Sequence, residues 1–75
     1  MSIVWKNILD NKYRVEVERT DSFSGELKIF DGVDEKAKVL YREKVTISYN
    51  AIFGPDVADV SLWEDKVINF IDSLK

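Results

Sequence analysis

The chain has 75 residues with 11 basic and 14 acidic side chains, a formal net charge of −3, and neither cysteine nor histidine. A chain this short forms a single domain, here taken as residues 1–75, and buries only about 60% of its unfolded surface. Its two Trp, three Tyr and four Phe supply large buried areas at low entropic cost.

The missing residue types exclude several classes of protein. Without cysteine there is no disulfide scaffold and no thiolate metal site, and without histidine the commonest general base is lacking. No apolar run approaches the roughly 20 residues of a membrane span, and the first residues lack the basic and apolar regions of a signal peptide. We expect a soluble, cytoplasmic protein that has no membrane partner.

A first β-hairpin is predicted over residues 3–19. Residues 13–19 alternate between apolar and charged side chains, which is typical of a half-buried antiparallel strand. Residues 3–9 show no clear phase, so the length of the intervening turn decides which side chains are buried. A three-residue turn at residues 10–12 buries Ile3, Trp5 and Leu9, whereas a two-residue turn buries Val4, Lys6 and Ile8. Burying Lys6 is costly, so the three-residue turn is favoured.

Two more strands are predicted at residues 26–30 and 38–48. A turn-rich connection at residues 20–25 precedes the first of them, and a turn at residues 31–32 with a polar loop at residues 33–37 separates the two. In the last strand, Glu43 falls in the same phase as the apolar side chains. A charge in that phase predicts a bulge near residues 42–44, or a face that is open to water at this end.

The C-terminal segment, residues 50–74, carries the strongest periodic signal. Apolar residues recur at spacings of three and four, the signature of an amphipathic helix; they are Val60, Trp63, Val67, Phe70, Ile71 and Leu74. Extended backward, this helix would place Asp56 within its apolar stripe. We therefore predict one turn at residues 55–59, a break near Val60, and a main helix from Ser61, with Ser61 and Glu64 forming a capping box.

These elements predict an α+β fold: an antiparallel meander of three to four strands with one C-terminal α-helix packed on one face. The helix should contribute Trp63, Val67, Phe70, Ile71 and Leu74 to the core. The strands should contribute Trp5, Val15, Val17, Leu27, Ile29, Val39, Tyr41 and Ile47. The pattern leaves open the order of the strands and whether the first one pairs.

Carboxylates are the only plentiful groups with catalytic potential. Asp56 and Asp59 are candidates for a metal or hydrolase pair, but acidic residues in the first turn of a helix have an ordinary explanation in capping and the helix dipole. The cluster of Asp31, Asp34 and Glu35 has too few ligands, at the wrong spacing, for a calcium loop. We assign no catalytic residue, cofactor or metal, and do not expect an enzyme.

Basic residues on the predicted strands, interleaved with Phe30 and Tyr41, suggest a sheet that stacks nucleic-acid bases. Glutamates occupy the same strands, however, and opposite charges paired across a wet sheet face explain the pattern without a ligand. The negative net charge also disfavours phosphate binding. Nucleic acid is therefore an unfavoured partner.

Three apolar residues, Phe30, Leu40 and Leu62, lie outside the assigned core phases. Isolated exposed apolar residues are normal, but clustered ones mark an interface. A sheet covered by one helix also leaves its second face and both edges open. The leading hypothesis is a non-catalytic module that binds another protein or a second copy of itself. The alternatives are single-stranded nucleic-acid binding on the sheet face and, third, a carboxylate-based metal or hydrolase site.

Overall fold

Four antiparallel strands form one sheet in the order β1-β2-β3-β4, and a C-terminal helix packs against one of its faces. The computed structural model describes residues 3–48 and 56–74. The elements are β1 (Ile3–Leu9), β2 (Tyr13–Asp21), β3 (Ser24–Asp31), β4 (Lys38–Thr46) and α1 (Val57–Ser73). The predicted α+β meander is confirmed, and the first strand does pair.

The first hairpin has the predicted three-residue turn. Leu9 pairs with Tyr13, and the Lys12 amide donates a hydrogen bond to the Leu9 carbonyl at 3.0 Å. Asp10 and Asn11 both have positive φ, at 56° and 52°, a conformation that Asp and Asn tolerate better than most residues. This turn places Leu9 against the core.

The predicted core position of Ile3 is wrong, because β1 contains a bulge. Ile3 pairs with Glu18 and Trp5 with Val17, so Val4 is an extra residue between them. The bulge reverses the phase of the first residues. As a result Val4 packs against the core and Ile3 is 39% exposed.

The connection between β2 and β3 is shorter than predicted, because both strands continue to a tight turn at residues 22–23. The Asp21 carboxylate accepts a hydrogen bond from the Phe23 amide at 3.0 Å, and the Arg19 guanidinium donates one to the Ser22 carbonyl at 2.8 Å. These side chains satisfy backbone groups that the turn would leave unpaired. The residues read as a loop therefore belong to a hairpin.

The β3–β4 pair is irregular at Leu40, and not at residues 42–44, where a bulge was one of the two alternatives predicted from Glu43. Ile29 pairs with Tyr41 and Phe30 with Val39, which leaves Leu40 as the extra residue. The expected contact between Val39 and the helix is therefore wrong, since Val39 is paired with Phe30, one position out of phase with the core residue Ile29. β4 ends at Thr46, two residues earlier than predicted.

Glu43 keeps its place in the core phase because two neighbours satisfy its charge. The Tyr41 hydroxyl donates to Glu43 Oε1 at 3.0 Å, and Lys66 Nζ of the helix lies 2.7 Å from Oε2. The Lys66 ammonium and the Tyr41 hydroxyl hold the pKa of the Glu43 carboxyl below its ordinary value. The same contacts raise the pKa of Lys66 and of Tyr41. We call this group the Glu43 clamp.

The helix runs without a break from Val57 to Ser73, so the predicted break near Val60 and the capping box at Ser61 are wrong. Asp56 has extended backbone angles, and its side chain accepts a hydrogen bond from the Ala58 amide at 2.9 Å. As the N-cap it lies outside the helix, so its projection onto the apolar stripe has no consequence. Residue 55, where the extra turn was to begin, lies outside the described residues.

The core lies between the helix and the sheet. Its buried members are Val15, Val17, Leu27, Ile29, Val45, Ile47, Trp63, Val67 and Ile71. Trp5, Tyr41 and Phe70 pack at its border, with ring centroids 5.8 Å apart for Trp5 and Trp63 and 4.8 Å for Tyr41 and Phe70. The predicted core position of Leu74 is wrong, because this residue is the C-cap and is half-exposed.

Gly25 provides a test of this packing. A Cβ at this position would lie 2.6 Å from Ile47 Cδ1 and 2.7 Å from the Glu18 carbonyl oxygen. The carbonyl belongs to the neighbouring strand and cannot move without disturbing the pairing. We expect Gly25→Ala to lower the free energy of unfolding by about 1–3 kcal/mol, the usual cost of overpacking. Urea denaturation measures this loss, with Thr46→Ala, a change at an exposed residue of the same end of the sheet, as the control. Equal stability of the two variants would contradict this packing.

The Glu43 clamp predicts a dependence of stability on pH. The pKa of Glu43 in the folded state is lowered from its ordinary value of 4.5. The contribution of the Glu43 carboxylate to stability is therefore fully present above pH 4.5 and is lost as the pH falls through the folded-state pKa. Glu43→Gln should destabilise the protein at pH 6 by on the order of 0.5–1 kcal/mol, as expected for a partly exposed ion pair. The free energies of unfolding of the wild type and Glu43→Gln should converge as the pH falls below about 4.5.

The matched control for the clamp is Glu64→Gln, which removes an exposed carboxylate from the helix that carries Lys66. Urea denaturation of the three proteins across the acidic range makes the comparison. A constant difference between wild type and Glu43→Gln at all pH values would show that charge does not hold the clamp.

Candidate functional site

The face of the sheet opposite the helix is covered by no other element of the part of the chain that the structure describes. We call it the outer face. Its directly paired residues include Lys6 with Glu16, Glu16 with Lys28, and Lys28 with Arg42. Any site on this face is formed by strand side chains that alternate with those of the core.

The middle of the outer face is charged, and many of its charges are paired. Arg14 Nη1 lies 3.2 Å from Glu16 Oε2, and Lys28 Nζ lies 3.8 Å from Glu18 Oε1 and 3.5 Å from Glu26 Oε1. These are the opposite-charge contacts expected on a solvated sheet face. They explain why the basic side chains on β2 and β3 are interleaved with glutamates.

One end of the outer face is mainly apolar and contains one cation, Arg14. Ile8, Arg14, Phe30 and Val39 follow one another in a row across the four strands. The Arg14 guanidinium lies 4.0 Å from the centroid of the Phe30 ring, a cation–π contact. Ile8 is 52% exposed, Val33 49% and Leu40 36%. We call Ile8, Phe30, Val33 and Leu40 the outer-face patch.

An open groove of about 490 Å³ lies beside the patch and is lined by Lys6, Asn7, Ile8, Arg14 and Val33. Its lining contains two cationic side chains and no carboxylate. Among the described residues, Lys6 has no carboxylate oxygen within 4.0 Å, and Arg14 Nε has no hydrogen-bond acceptor. The groove therefore joins exposed aliphatic surface to Lys6, whereas the charge of Arg14 is paired with Glu16.

Two of the three residues that the sequence predicted for an interface belong to this region. Phe30 lies in the row that crosses the four strands, and Leu40 is the bulge residue of β4, the strand that pairs with β3. Leu62 is 60% exposed but lies on the helix, in a second groove with Lys44, Thr46 and Lys66. The structure thus brings Phe30 and Leu40 to one end of the sheet and leaves Leu62 in the other layer.

Sequence reasoning missed Ile8 and Val33. Ile8 was recoverable, because the three-residue turn that puts Leu9 in the core necessarily puts Ile8 on the opposite face. Val33 gave no signal, since it is an apolar residue within a polar loop and its position depends on the path of that loop. Arg14 was read as a solvated strand cation, and its contact with Phe30 requires knowledge of the register.

Three of the carboxylates considered for chemistry, Asp56, Asp59 and Asp34, accept hydrogen bonds from the backbone. Asp56 caps the helix, and Asp59 Oδ2 accepts a hydrogen bond from the Ser48 amide at 2.8 Å. Asp34 Oδ1 accepts one from the Lys36 amide within the loop. Within residues 3–48 and 56–74 there is no group of three acidic side chains placed to hold a metal ion. Asp59 instead ties the end of β4 to the first turn of the helix.

Comparison with known proteins supplies no relative: no family model matches the chain, and neither a curated protein nor a solved structure matches it significantly. The helix that the structure describes is too short and too polar to cross a membrane.

The role of Asp59 can be tested directly. Asp59→Ala removes the acceptor of the Ser48 amide, and we expect it to lower the free energy of unfolding by about 1–3 kcal/mol, the usual cost of leaving a buried donor without its acceptor. Asp65→Ala, which changes an exposed carboxylate of the same helix, should have little effect. Calcium or magnesium should leave the wild-type Tm unchanged. A Tm that metal raises in the wild type and not in Asp59→Ala would instead identify a cation site.

Proposed function

We propose that this protein is a non-catalytic binding module that docks a partner protein on the outer face of its sheet. The observation that carries the proposal is the outer-face patch, in which exposed aliphatic side chains adjoin a groove whose Lys6 has no carboxylate within 4.0 Å among the described residues. Scattered exposed apolar residues need no explanation, whereas a cluster rimmed by polar groups is typical of an interaction site. The lack of cysteine suits a reducing compartment, and we take the cytoplasm as the expected location.

The face supports docking better than the strand edges do. Both edge strands carry bulges, at Val4 in β1 and at Leu40 in β4. The β4 edge also exposes Lys38, Arg42 and Lys44. Bulges and edge lysines are the means by which proteins prevent strand addition. A partner is therefore expected to contact side chains of the outer face and not to extend the sheet.

Single-stranded nucleic acid has less support as the partner. Base stacking requires an accessible aromatic face, and Arg14 lies over the ring of Phe30. Lys28, the central cation of the sheet, is already near two glutamates. A salt titration with single-stranded oligonucleotides separates the two functions, because phosphate binding strengthens steeply at low salt.

The proposal is tested with a variant of the patch, Ile8→Ser combined with Val33→Ser. Affinity capture from cells that express the chain naturally, quantified by mass spectrometry, should show a partner whose recovery falls about tenfold with the double variant, as for loss of a central apolar contact. Val57→Ser is the matched control, since Val57 is 85% exposed and lies in the helix layer. Equal recovery of every partner by all three proteins would overturn the proposal.

A further inference from the structure

We propose that the partner protein docks on the outer face through an acidic–aliphatic segment, in which a carboxylate and an aliphatic side chain lie on one side of the backbone about 7 Å apart. The inference rests on the proposed function and specifies the chemistry of the partner at that site. It is carried by the juxtaposition, in one groove, of the exposed Lys6 ammonium with the side chains of Ile8 and Val33.

Lys6 is the cation of the groove that a partner would meet. Among the described residues, no carboxylate oxygen lies within 4.0 Å of its Nζ. Lys6 is paired directly with Glu16 across the strands, a position from which opposite charges usually reach each other. Glu16 Oε2 instead lies 3.2 Å from Arg14 Nη1, and the side chains of Glu16 and Arg14 are only 13% and 17% exposed. The Arg14–Glu16 pair is thus satisfied within the sheet, whereas Lys6 is available to a partner.

The lining of the groove favours a carboxylate as the group that contacts Lys6. The lining itself contains no carboxylate, and the side-chain oxygen of Asn7 accepts a hydrogen bond from the Ile8 amide at 2.9 Å. A partner that covers Lys6 removes water from its ammonium group and must supply an acceptor in return. A carboxylate is the strongest acceptor that a protein offers to an ammonium group.

The apolar side of the groove sets the second requirement. Lys6 and Ile8 are two residues apart on β1, so both side chains lie on the outer face, at positions about 7 Å apart along the strand. Val33 belongs to the loop after β3, which a bridge between Gly32 and Tyr13 holds beside the start of β2. Ile8 and Val33 are 52% and 49% exposed. An aliphatic side chain that contacts both of them removes apolar surface from water on both partners.

A peptide segment can meet both requirements at once. Residues two apart in an extended segment, or four apart on a helix, present their side chains on the same side at about this spacing. A purely aliphatic segment would leave the Lys6 ammonium covered without an acceptor. A phosphate backbone would supply the charge, but no aliphatic side chain for Ile8 and Val33. The acidic–aliphatic segment is therefore the occupant that the groove fits.

The test begins with selection of short random peptides on the full chain. The peptides are displayed in many copies on phage, so that weak binders are retained, and those that also bind the double variant Ile8→Ser/Val33→Ser are discarded. The retained peptides should contain Asp or Glu two or four positions from Val, Ile or Leu. A synthetic peptide of this kind, measured by fluorescence anisotropy, should bind the wild type with a Kd of roughly 10–500 µM, as expected for a small contact.

The contact with Lys6 is tested by changing both of its members. Replacing the acidic residue of the peptide by its amide should weaken binding about fivefold, as expected for a solvent-exposed ion pair, and so should Lys6→Gln in the protein. The two changes together should weaken binding no further, because both remove the same ion pair. Lys44→Gln is the matched control, since Lys44 lies on β4 outside this groove, and it should leave the Kd unchanged. Circular dichroism checks that all variants are folded.

Three results would overturn the inference and leave the proposed function standing. The first is a set of peptides that depend on Ile8 and Val33 but lack an acidic residue, or bind Lys6→Gln as tightly as the wild type. The second is a selection without any such peptide while a cellular partner is still captured through Ile8 and Val33. The third is a labelled copy of the chain that binds at these two residues, since the occupant would then be a second copy. Loss of both the peptides and the captured partner would remove the proposed function as well.

Discussion

The burial of Trp63 against the sheet is the contact on which the fold depends. Its side chain is 1% exposed, and it is the largest member of a core that otherwise consists of aliphatic residues. Trp63, Val67 and Ile71 recur at intervals of four, so one stripe of one helix closes the core. A single helix can cover only one face of a four-stranded sheet. The other face must therefore be stable in water or be covered by a partner.

Polar contacts fix the helix over the sheet at its borders. Asp59 binds the backbone just beyond β4, and Lys66 reaches Glu43 on the same strand. Both contacts use an acidic side chain to join the helix to β4, the edge strand beneath it. They complement the non-directional apolar core, because hydrogen bonds specify the position and rotation of the helix. The abundance of carboxylates in this chain is thus partly a structural requirement.

Most of the fold could be predicted from the sequence because its signals are local. Alternation in β2 predicted that strand, and the cost of burying Lys6 predicted the length of the first turn. The bulges at Val4 and Leu40 could not be predicted, since an added residue within an apolar run leaves the pattern equally acceptable. The start of the helix was misplaced for a related reason. An N-cap residue fits the same residue spacing as the helix that it precedes, so the spacing does not show where the helix begins.

The candidate site was harder to predict than the fold, because it depends on register and on the path of a loop. Phe30 and Leu40 were recognised as out of phase with the core, but nothing local shows that Phe30 lies beside Arg14 on the sheet or that Leu62 lies in the other layer. Ile8 followed from a choice of turn already made on other grounds. Residues that face the core can be predicted because they are all apolar and buried. The residues of a surface site have only their position in the folded protein in common, and the sequence does not show it.

The core covers only one face of the sheet, and the charges on the other face determine where a partner can dock. A protein with an uncovered sheet must prevent indiscriminate association, and here the edges are bulged and most of the outer face carries paired charges. Paired charges are costly to desolvate and discourage docking over the middle of the sheet. The end near Ile8 and Val33 lacks this protection, and the cation beside it, Lys6, has no carboxylate partner among the described residues. A partner that supplies both apolar surface and a carboxylate is favoured there, and a purely apolar one would leave Lys6 desolvated without compensation.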